Sequence, residues 1–593
     1  MGHASFVLNT GGSRVTGTIG NAAFFAAFLI FGVFLSLHMI AREHREANKN
    51  ILLIVYLWAA TAFSLVILYE TQTRGAIIAL AAVAVLYAGF LVFRASSARN
   101  RLAALAIILV IILAGSGIYF GRHSQFVKKN NTLNRLASIS LTDVTTQSRF
   151  DTWNASWQGW KDRFFQGYGY ENFNVAFNKY FPARIFKNQG SQVWFDRAHN
   201  IILDVGTTSG VFGLFSYLSI FGALGYYLWK YRAAIPGAGI LGLGMLAYFL
   251  QNMFVFDTQA TYLMLFLVLA YVSWMANENA APPPPSTPKV FKTNLFVAGA
   301  GLVVLVFVAY FVNIKPGIEN RDATLAILHA KAQDYRQLQP MFESALAHHT
   351  YMDEEIRQRL VDYANEAVSS GQFSKQEQLS LYQYVFSELE KNIKNSPHDV
   401  KNYLYLASEI NRAVPLDKSL ADRAIDMGSK ALALSPTRPQ IYFELGQSYF
   451  FKADYTTGLD DFRKAVELAP QPKESHFNFL LASIIASRQD ITDQQIKILT
   501  EEMGYVFGVD EYKSLARAYA QAGNTAKVIE YYQEAVKLTP DDFNLHAQLA
   551  AAYGMQCNID QARNEVNTTV QLDPSFSADA AQFLQQLEQK CKK

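Results

Sequence analysis

The chain has 593 residues, too many for one compact core, so at least two units are expected. Its 52 Lys+Arg against 49 Asp+Glu leave a net charge of only +3, which gives no support to nucleic-acid binding, a function that leaves a strongly basic footprint. Charged residues make up 17%, well under the roughly 25% of a soluble domain. The mean hydropathy of +0.07 therefore averages a very apolar part with an ordinary one. Two cysteines exclude a disulfide framework or a Cys-rich zinc module. This composition is that of a membrane protein carrying a soluble domain.

Apolar runs long enough to cross a ~30 Å hydrocarbon layer recur in the first half. They are Ala22–Ile40, Ile51–Tyr69, Gly75–Phe93, Leu102–Phe120, Val211–Trp229, Ile235–Phe256, Tyr262–Met275 and Leu295–Val312. Met1–Gly20 lacks a basic start followed by an apolar stretch, so no cleavable signal peptide is expected. AREHREANKN after the first span, FRASSARNR after the third and WKYR after the fifth are basic. The Pro-rich NENAAPPPPSTPKVFK before the eighth adds Lys289 and Lys292. Such loops stay cytoplasmic, and these four alternate as eight crossings require. YETQT, the stretch from Gly121 to about Thr208, and FDTQ then face outward, as does everything after the last span.

From about Gly317 the chain repeats. Tyr442, Leu445, Gly446, Tyr449, Gly458, Phe462, Ala465 and Pro470 recur as Tyr512, Leu515, Ala516, Tyr519, Val528, Tyr532, Ala535 and Pro540. They recur again as His546, Leu549, Ala550, Tyr553, Ala562, Val566, Thr569 and Pro574. Small residues let two antiparallel helices approach, large ones fill the seam, and Pro ends the second helix. The pattern resembles the tetratricopeptide repeat, and Asp322–Ala345 and Tyr403–Pro436 fit it more loosely. The fold class is thus all-α: a polytopic helical membrane domain followed by a tetratricopeptide-type solenoid. The expected division is a membrane domain over 1–276 with an external loop at 121–208, a Pro-rich linker and last span over 277–316, and an extracytoplasmic repeat domain over 317–593.

Three side chains on the outward face could carry chemistry. Arg74 stands at the outer mouth of the third span in TQTRG, Arg149 lies in TTQSRFDTWNASWQGW, and His199 closes the external loop in FDRAHN. Taken singly, a snorkelling Arg, a surface Arg and a helix-capping His are the ordinary readings. Taken together, two forked cations and an imidazole on one face suit a phosphate-bearing substrate. Arg offers bidentate hydrogen bonds to phosphate oxygens, and His takes a proton from an attacking hydroxyl near neutral pH.

At these residues the sequence resembles the O-antigen ligase and polymerase superfamily of bacterial membrane glycosyltransferases. RVTGTIGNAAFFAAF over residues 14–28 is similar to its Gly-Asn lead into a span, and TQTRGAIIAL to its Thr/Ser-Arg-Gly motif. SRFDTWNASW with FQGYGYENF resembles the start of its large external loop, and AHNIILDVGTTSGVFGL its His-Asn signature with Gly-rich return to the membrane. The resemblance implies a bacterial inner-membrane enzyme. It would transfer a glycan from a polyprenyl-diphosphate carrier to an acceptor hydroxyl on the extracytoplasmic side, with inversion and without a metal or other cofactor. Arg74 and Arg149 would hold the diphosphate and His199 would act as base. The partners implied are the lipid-linked donor, a glycan, lipid or protein acceptor, membrane lipid, and a protein bound by the repeats. Family members carry several spans before the Gly-Asn motif, where this chain begins; a chain lacking donor-cavity helices would be inactive. The alternatives are a protein O-oligosaccharyltransferase and a non-catalytic repeat scaffold for envelope assembly.

Two smaller features have plainer expectations. Trp153, Trp157 and Trp160 share one helix face and suit packing or interfacial anchoring more than sugar stacking. Cys557 and Cys591 fall 34 residues apart, at matching places of adjacent units. Stacked helices lie about 8–10 Å apart, beyond the ~7 Å Cα separation a disulfide tolerates, so the pair is expected to be unbridged, with Ala578–Gln589 as a capping helix.

Overall fold

The computed structural model describes residues 14–187, 191, 193–278 and 295–591. Among these the chain is helical with no strand. It divides into two units, Met1–Tyr180 with Trp194–Thr293, and Phe181–Val193 with Asn294–Lys593. Lys289 and Lys292, invoked for orientation, lie outside the described residues.

The first unit contains α1 (Ala22–Glu43), α2 (Ile51–Glu70), α3 (Arg74–Arg94), α4 (Ala98–Phe120), α5 (Gln125–Lys129), α6 (Asn131–Ala137), α7 (Val144–Asp162), α8 (Phe173–Lys179), α9 (Ile201–Lys230), α10 (Ala238–Asn252) and α11 (Gln259–Glu278). Their ends follow capping chemistry. Asn21 Oδ1 accepts from the Ala23 amide at 2.8 Å and Asn50 Oδ1 from Leu53 at 3.1 Å. Arg42, Arg94 and Lys230 close α1, α3 and α9, where a cation offsets the helix dipole. A core of Ile30, Phe31, Val83, Leu241, Tyr248, Leu265 and Val268 binds α1, α3, α10 and α11. The α4 helix buries only Ala104, as expected of a surface solvated by lipid.

Among the described residues seven helices are long and apolar enough to cross a membrane, so this is a membrane protein. The sixth expected span, Ile235–Phe256, is the exception. Helix α10 covers only Ala238–Asn252, because Gly237 takes a left-handed turn at its start and the loop with Asp257 follows its end. Asp257 is buried and accepts hydrogen bonds from Tyr217 at 2.9 Å, Asn252 at 2.6 Å and the Tyr248 hydroxyl.

The fifth span also differs. The α9 helix begins ten residues before Val211 and breaks at Gly210, whose φ of 65° and ψ of −168° are open to glycine alone. A Cβ there would stand 2.2 Å from the Phe165 carbonyl oxygen. The backbone groups freed by the break are recovered by the external loop. Tyr168 and Gly169 amides donate to the carbonyls of Thr207 and Thr208 at 2.9 and 2.7 Å, and the Val211 amide donates to Phe164 at 2.8 Å. The Gly-Tyr-Gly segment at 167–169 is thus a backbone clasp on the broken helix.

In the second unit one continuous helical stretch runs over residues 295–331, longer than the expected span, and then pairs of helices stack. The pairs Pro439–Phe451/Tyr455–Leu468, Val509–Gln521/Thr525–Leu538 and Phe543–Met555/Ile559–Leu572 are those of the repeat pattern. Their small residues do what the spacing requires: a Cβ on Gly446 would meet the Phe462 ring at 2.8 Å, and one on Gly458 the Phe450 ring at 2.4 Å. Leu515, Ala516 and Ala535 are fully buried. Between the first two pairs lies another, Lys473–Ile485 with Gln489–Lys497, whose sequence shows the pattern too weakly to be read. Segment Phe181–Val193 also belongs to this unit. The Thr437 hydroxyl donates to the Phe181 carbonyl at 2.6 Å, and the buried Arg438 guanidinium stacks on the Phe181 ring at 3.9 Å.

The cysteine expectation is overturned. Cys557 and Cys591 form a disulfide with Cα atoms 5.6 Å apart. The two do not occupy matching positions. Cys557 has left its helix and takes the left-handed turn conformation (φ 54°) also adopted by Ala453, Ser487 and Gly523. Helix Ser577–Cys591 instead continues past the point at which Phe543–Met555 stops, which carries Cys591 to that turn.

Candidate active site

Four segments of the first unit converge on one cationic region: the residues before α1, the α2–α3 turn, the α6–α7 stretch and the turn before α9. Arg14 lies across the α2–α3 turn, donating from Nε to the Thr71 carbonyl at 3.0 Å and from Nη2 to the Thr73 hydroxyl at 3.2 Å. Arg74 opens α3 and donates from Nη2 to the Ser138 hydroxyl at 2.8 Å. Thr132 donates to the Tyr69 carbonyl at 3.1 Å and Tyr69 to Asn130 at 2.8 Å, which seats α6 on the end of α2. Arg135 lies one turn before Ser138. The Nε atoms of Arg74 and Arg135 are buried and have no hydrogen-bond partner among the described residues.

Arg149 projects from α7, whose N-cap Asp143 accepts from the Thr146 amide at 3.1 Å. One turn further along, the Trp153 indole donates to the Ala198 carbonyl at 3.0 Å. That bond ties α7 to the turn that carries His199. Trp160, by contrast, is buried against Gly206, and Trp157 is 45% exposed, so the three tryptophans of one face do three different things.

His199 has a left-handed backbone (φ 50°), an unfavourable state for a non-glycine residue that persists when its surroundings over-determine it. Here they do. The Ala198 amide donates to Asp204 at 3.0 Å, and Asn200 Oδ1 accepts from the Ile202 and Leu203 amides at 3.1 and 3.2 Å. The neighbouring Arg197 is buried between Asp204, at 3.1 Å, and Glu171. The imidazole packs at 5.4 Å from the Phe256 ring and 6.2 Å from Phe195. Phe256 is carried by the loop that Asp257 clasps.

The charges act on one another. Burial lowers the pKa of Arg149, and the Arg74 charge lowers it further. Burial lowers that of Arg135, again with Arg74, and that of Arg14, with Arg135 and Arg74. Burial and then the Arg149 charge hold His199 below its ordinary value, against an opposing pull from Asp196. Both effects favour the neutral imidazole, the form that can accept a proton. Arg74, Arg149 and His199, singled out from sequence, thus share one electrostatic neighbourhood. Arg14 and Arg135 were missed as site residues: Arg14 did open the Gly-Asn motif, whereas Arg135 had no signal beyond being one more loop arginine.

Residues 59–218 match the O-antigen ligase family model, and residues 439–472 and 509–552 match tetratricopeptide repeat models. No curated relative matches the chain. Solved structures similar to it include a tetratricopeptide repeat protein from Parabacteroides merdae, 12% identical over 45% of this chain and 98% of that one, with a TM-score of 0.33. A thermophilic TPR protein of Thermus thermophilus is 19% identical over 34% of this chain and 98% of that one, with a TM-score of 0.26. The O-antigen ligase domain supports glycosyltransferase-type ligase or polymerase function, and implies glycan and lipid-linked substrates. Residues 59–218 are thus similar to an O-antigen ligase domain, and residues 439–472 and 509–552 to tetratricopeptide repeats.

Proposed function

We propose that the protein transfers a glycan from a polyprenyl-diphosphate carrier to an acceptor hydroxyl, with inversion at the anomeric carbon and with no metal required. The observation that carries this reading is the gathering of Arg74, Arg149 and a desolvated His199 in one region, with Asp143 the carboxylate that acts on both guanidiniums. The acceptor oxygen attacks the anomeric carbon as the bond from that carbon to the phosphate oxygen breaks. The proton passes to His199, a step worth roughly 10²–10⁴-fold. The bonding pair leaves on the diphosphate, whose growing charge the guanidiniums stabilise.

The reaction side proposed is extracytoplasmic, as the basic loops favour. The Cys557–Cys591 disulfide supports the same side for the repeats, because disulfides persist in oxidising compartments. The repeats would bind a protein or position an acceptor on their extended surface.

The test supplies purified full-length protein with a polyprenyl-diphosphate glycan and candidate lipid, glycan and protein acceptors, and identifies the product. Transfer that is strongly slowed in Arg149→Gln and lost in His199→Ala supports the reading. Full activity in both variants, or donor bound without transfer to any acceptor, overturns it in favour of a scaffold.

A further inference from the structure

The helical stretch that holds the last span and opens the repeat unit has a weak point. Within residues 295–331, Tyr310–Ile314 form a π turn and Pro316 follows at the start of Lys315–Lys331. Such turns and prolines are where long helices bend. Pro316 has no N–H to offer the carbonyl four residues before it, that of Val312. The Tyr351 hydroxyl donates to that carbonyl at 3.2 Å. Tyr351 lies in the turn just before helix Asp353–Ser369, so this bond crosses the weak point from the repeat side to the span side.

The turn descends along the helix towards the bilayer. His348 Nε2 lies 3.0 Å from Asp322 Oδ2, the Thr350 hydroxyl donates to Glu319, and Tyr351 reaches Val312. At a rise of about 1.5 Å per residue, Asp322 and Glu319 stand about 15 and 10 Å beyond Val312. The apolar run ends at Val312, and the headgroup layer outside the hydrocarbon is roughly 5–7 Å deep. Of the three contacts, only that of Tyr351 falls within this layer. Tyr351 is 70% exposed although its hydroxyl is bonded, and Tyr310 and Phe311 are exposed at the same level. Lys315 Nζ lies 5.7 Å from the Phe311 ring. Amphipathic rings and a snorkelling lysine belong at a membrane–water boundary, and here one ring of that girdle comes from a distant part of the chain.

We propose that the turn over residues 348–351 is a foot on which the repeat unit stands on the lipid surface. The Tyr351 ring seats among phospholipid headgroups of the leaflet in which the last span ends. This second point of contact keeps the solenoid from swinging about the π turn and Pro316. Lipid is the occupant because the ring continues the surface of the span, whose apolar window buries nothing against protein among the described residues. The foot is independent of the transfer reaction proposed above.

The experiment uses the full chain in phosphatidylcholine–phosphatidylglycerol vesicles. Both native cysteines are bridged, so a single introduced cysteine takes the label. A nitroxide on Tyr351→Cys is compared with one on Lys537→Cys, an exposed site on helix Thr525–Leu538, for collision with oxygen, which concentrates in the bilayer, and with a polar nickel chelate, which does not. The oxygen-to-nickel ratio should be several-fold higher at 351 than at 537. Equal ratios overturn the inference. A second measurement keeps the turn's own side chains: energy transfer from a dye on Lys537→Cys to acceptors on lipid headgroups, with Tyr351 native or replaced. Tyr351→Ser should broaden the distance distribution, whereas Tyr351→Trp and Tyr351→Phe should leave it as narrow as in the native chain. Phe cannot donate to the Val312 carbonyl, so a role confined to that hydrogen bond would make Tyr351→Phe behave like Tyr351→Ser. That result, or a distribution that Tyr351→Ser leaves unchanged, overturns the inference.

Discussion

Removing the C-terminal disulfide should open one helix and spare the rest of the solenoid. Cys557 and Cys591 are 34 residues apart, and closing a loop of that size removes chain entropy worth about 4 kcal/mol from the open state. The helix so tethered, Ser577–Cys591, fully buries Leu587 and packs a partly buried Phe583 beside it, together a contribution of roughly 3 kcal/mol. The covalent link is therefore the largest single contribution to holding this helix in place. In a Cys557→Ser/Cys591→Ser chain, amide exchange over 577–591 should accelerate at least about 30-fold, with a ceiling near 10³-fold. Exchange in Pro439–Phe451 should stay as it was, since a solenoid passes stability only between neighbouring units. Hydrogen–deuterium exchange with peptide-level mass analysis reads both regions in one run. Exchange over 577–591 within about three-fold of wild type would refute the reasoning. So would a native chain that takes up two alkylating groups before reduction, which would also remove one support for an oxidising compartment.

Arg149→Gln should move the acid limb of the kcat/KM profile to higher pH, because removing the neighbouring charge lets His199 hold its proton more tightly; a pH–rate series checks this, and an unmoved limb speaks against His199 as the base. Gly210→Ala should destabilise the membrane unit by at least about 3 kcal/mol, through positive φ and contact with Phe165, whereas Gly222→Ala, whose added Cβ meets nothing within 4 Å, should be neutral in the same thermal assay. Glu409 is 3% exposed and burial raises its pKa from 4.5 to about 7. Between those values the folded state keeps a proton the unfolded state releases, so stability falls as pH rises, and Glu409→Gln should gain up to roughly 3 kcal/mol at pH 8 and little at pH 4.5 when followed by denaturant unfolding.

Much of this architecture is written in local patterns. Apolar runs of span length, with Arg42, Arg94 and Lys230 at the ends of α1, α3 and α9, mark helices and their direction without reference to anything distant. The repeat spacing likewise declares itself, because Gly446 and Gly458 must be small wherever two helices touch. The three candidate residues drew notice for a different reason: two forked cations and an imidazole on one outward face narrow what such side chains can be for. What remained hidden depends on contacts between segments far apart in sequence. Arg135 joins the site only because Thr132 and Asn130 seat α6 on Tyr69. The turn that carries His199 is tied down by the Trp153 indole, 45 residues before the Ala198 carbonyl that it bonds. The break in α9 is tolerated because residues 164–169 supply the backbone partners it loses. The disulfide turned on where two helices end, a matter of two residues that a repeat period does not encode. Periodicity specifies what each element buries, whereas which loops meet, and at what atom, is decided when the packed helices bring their ends together.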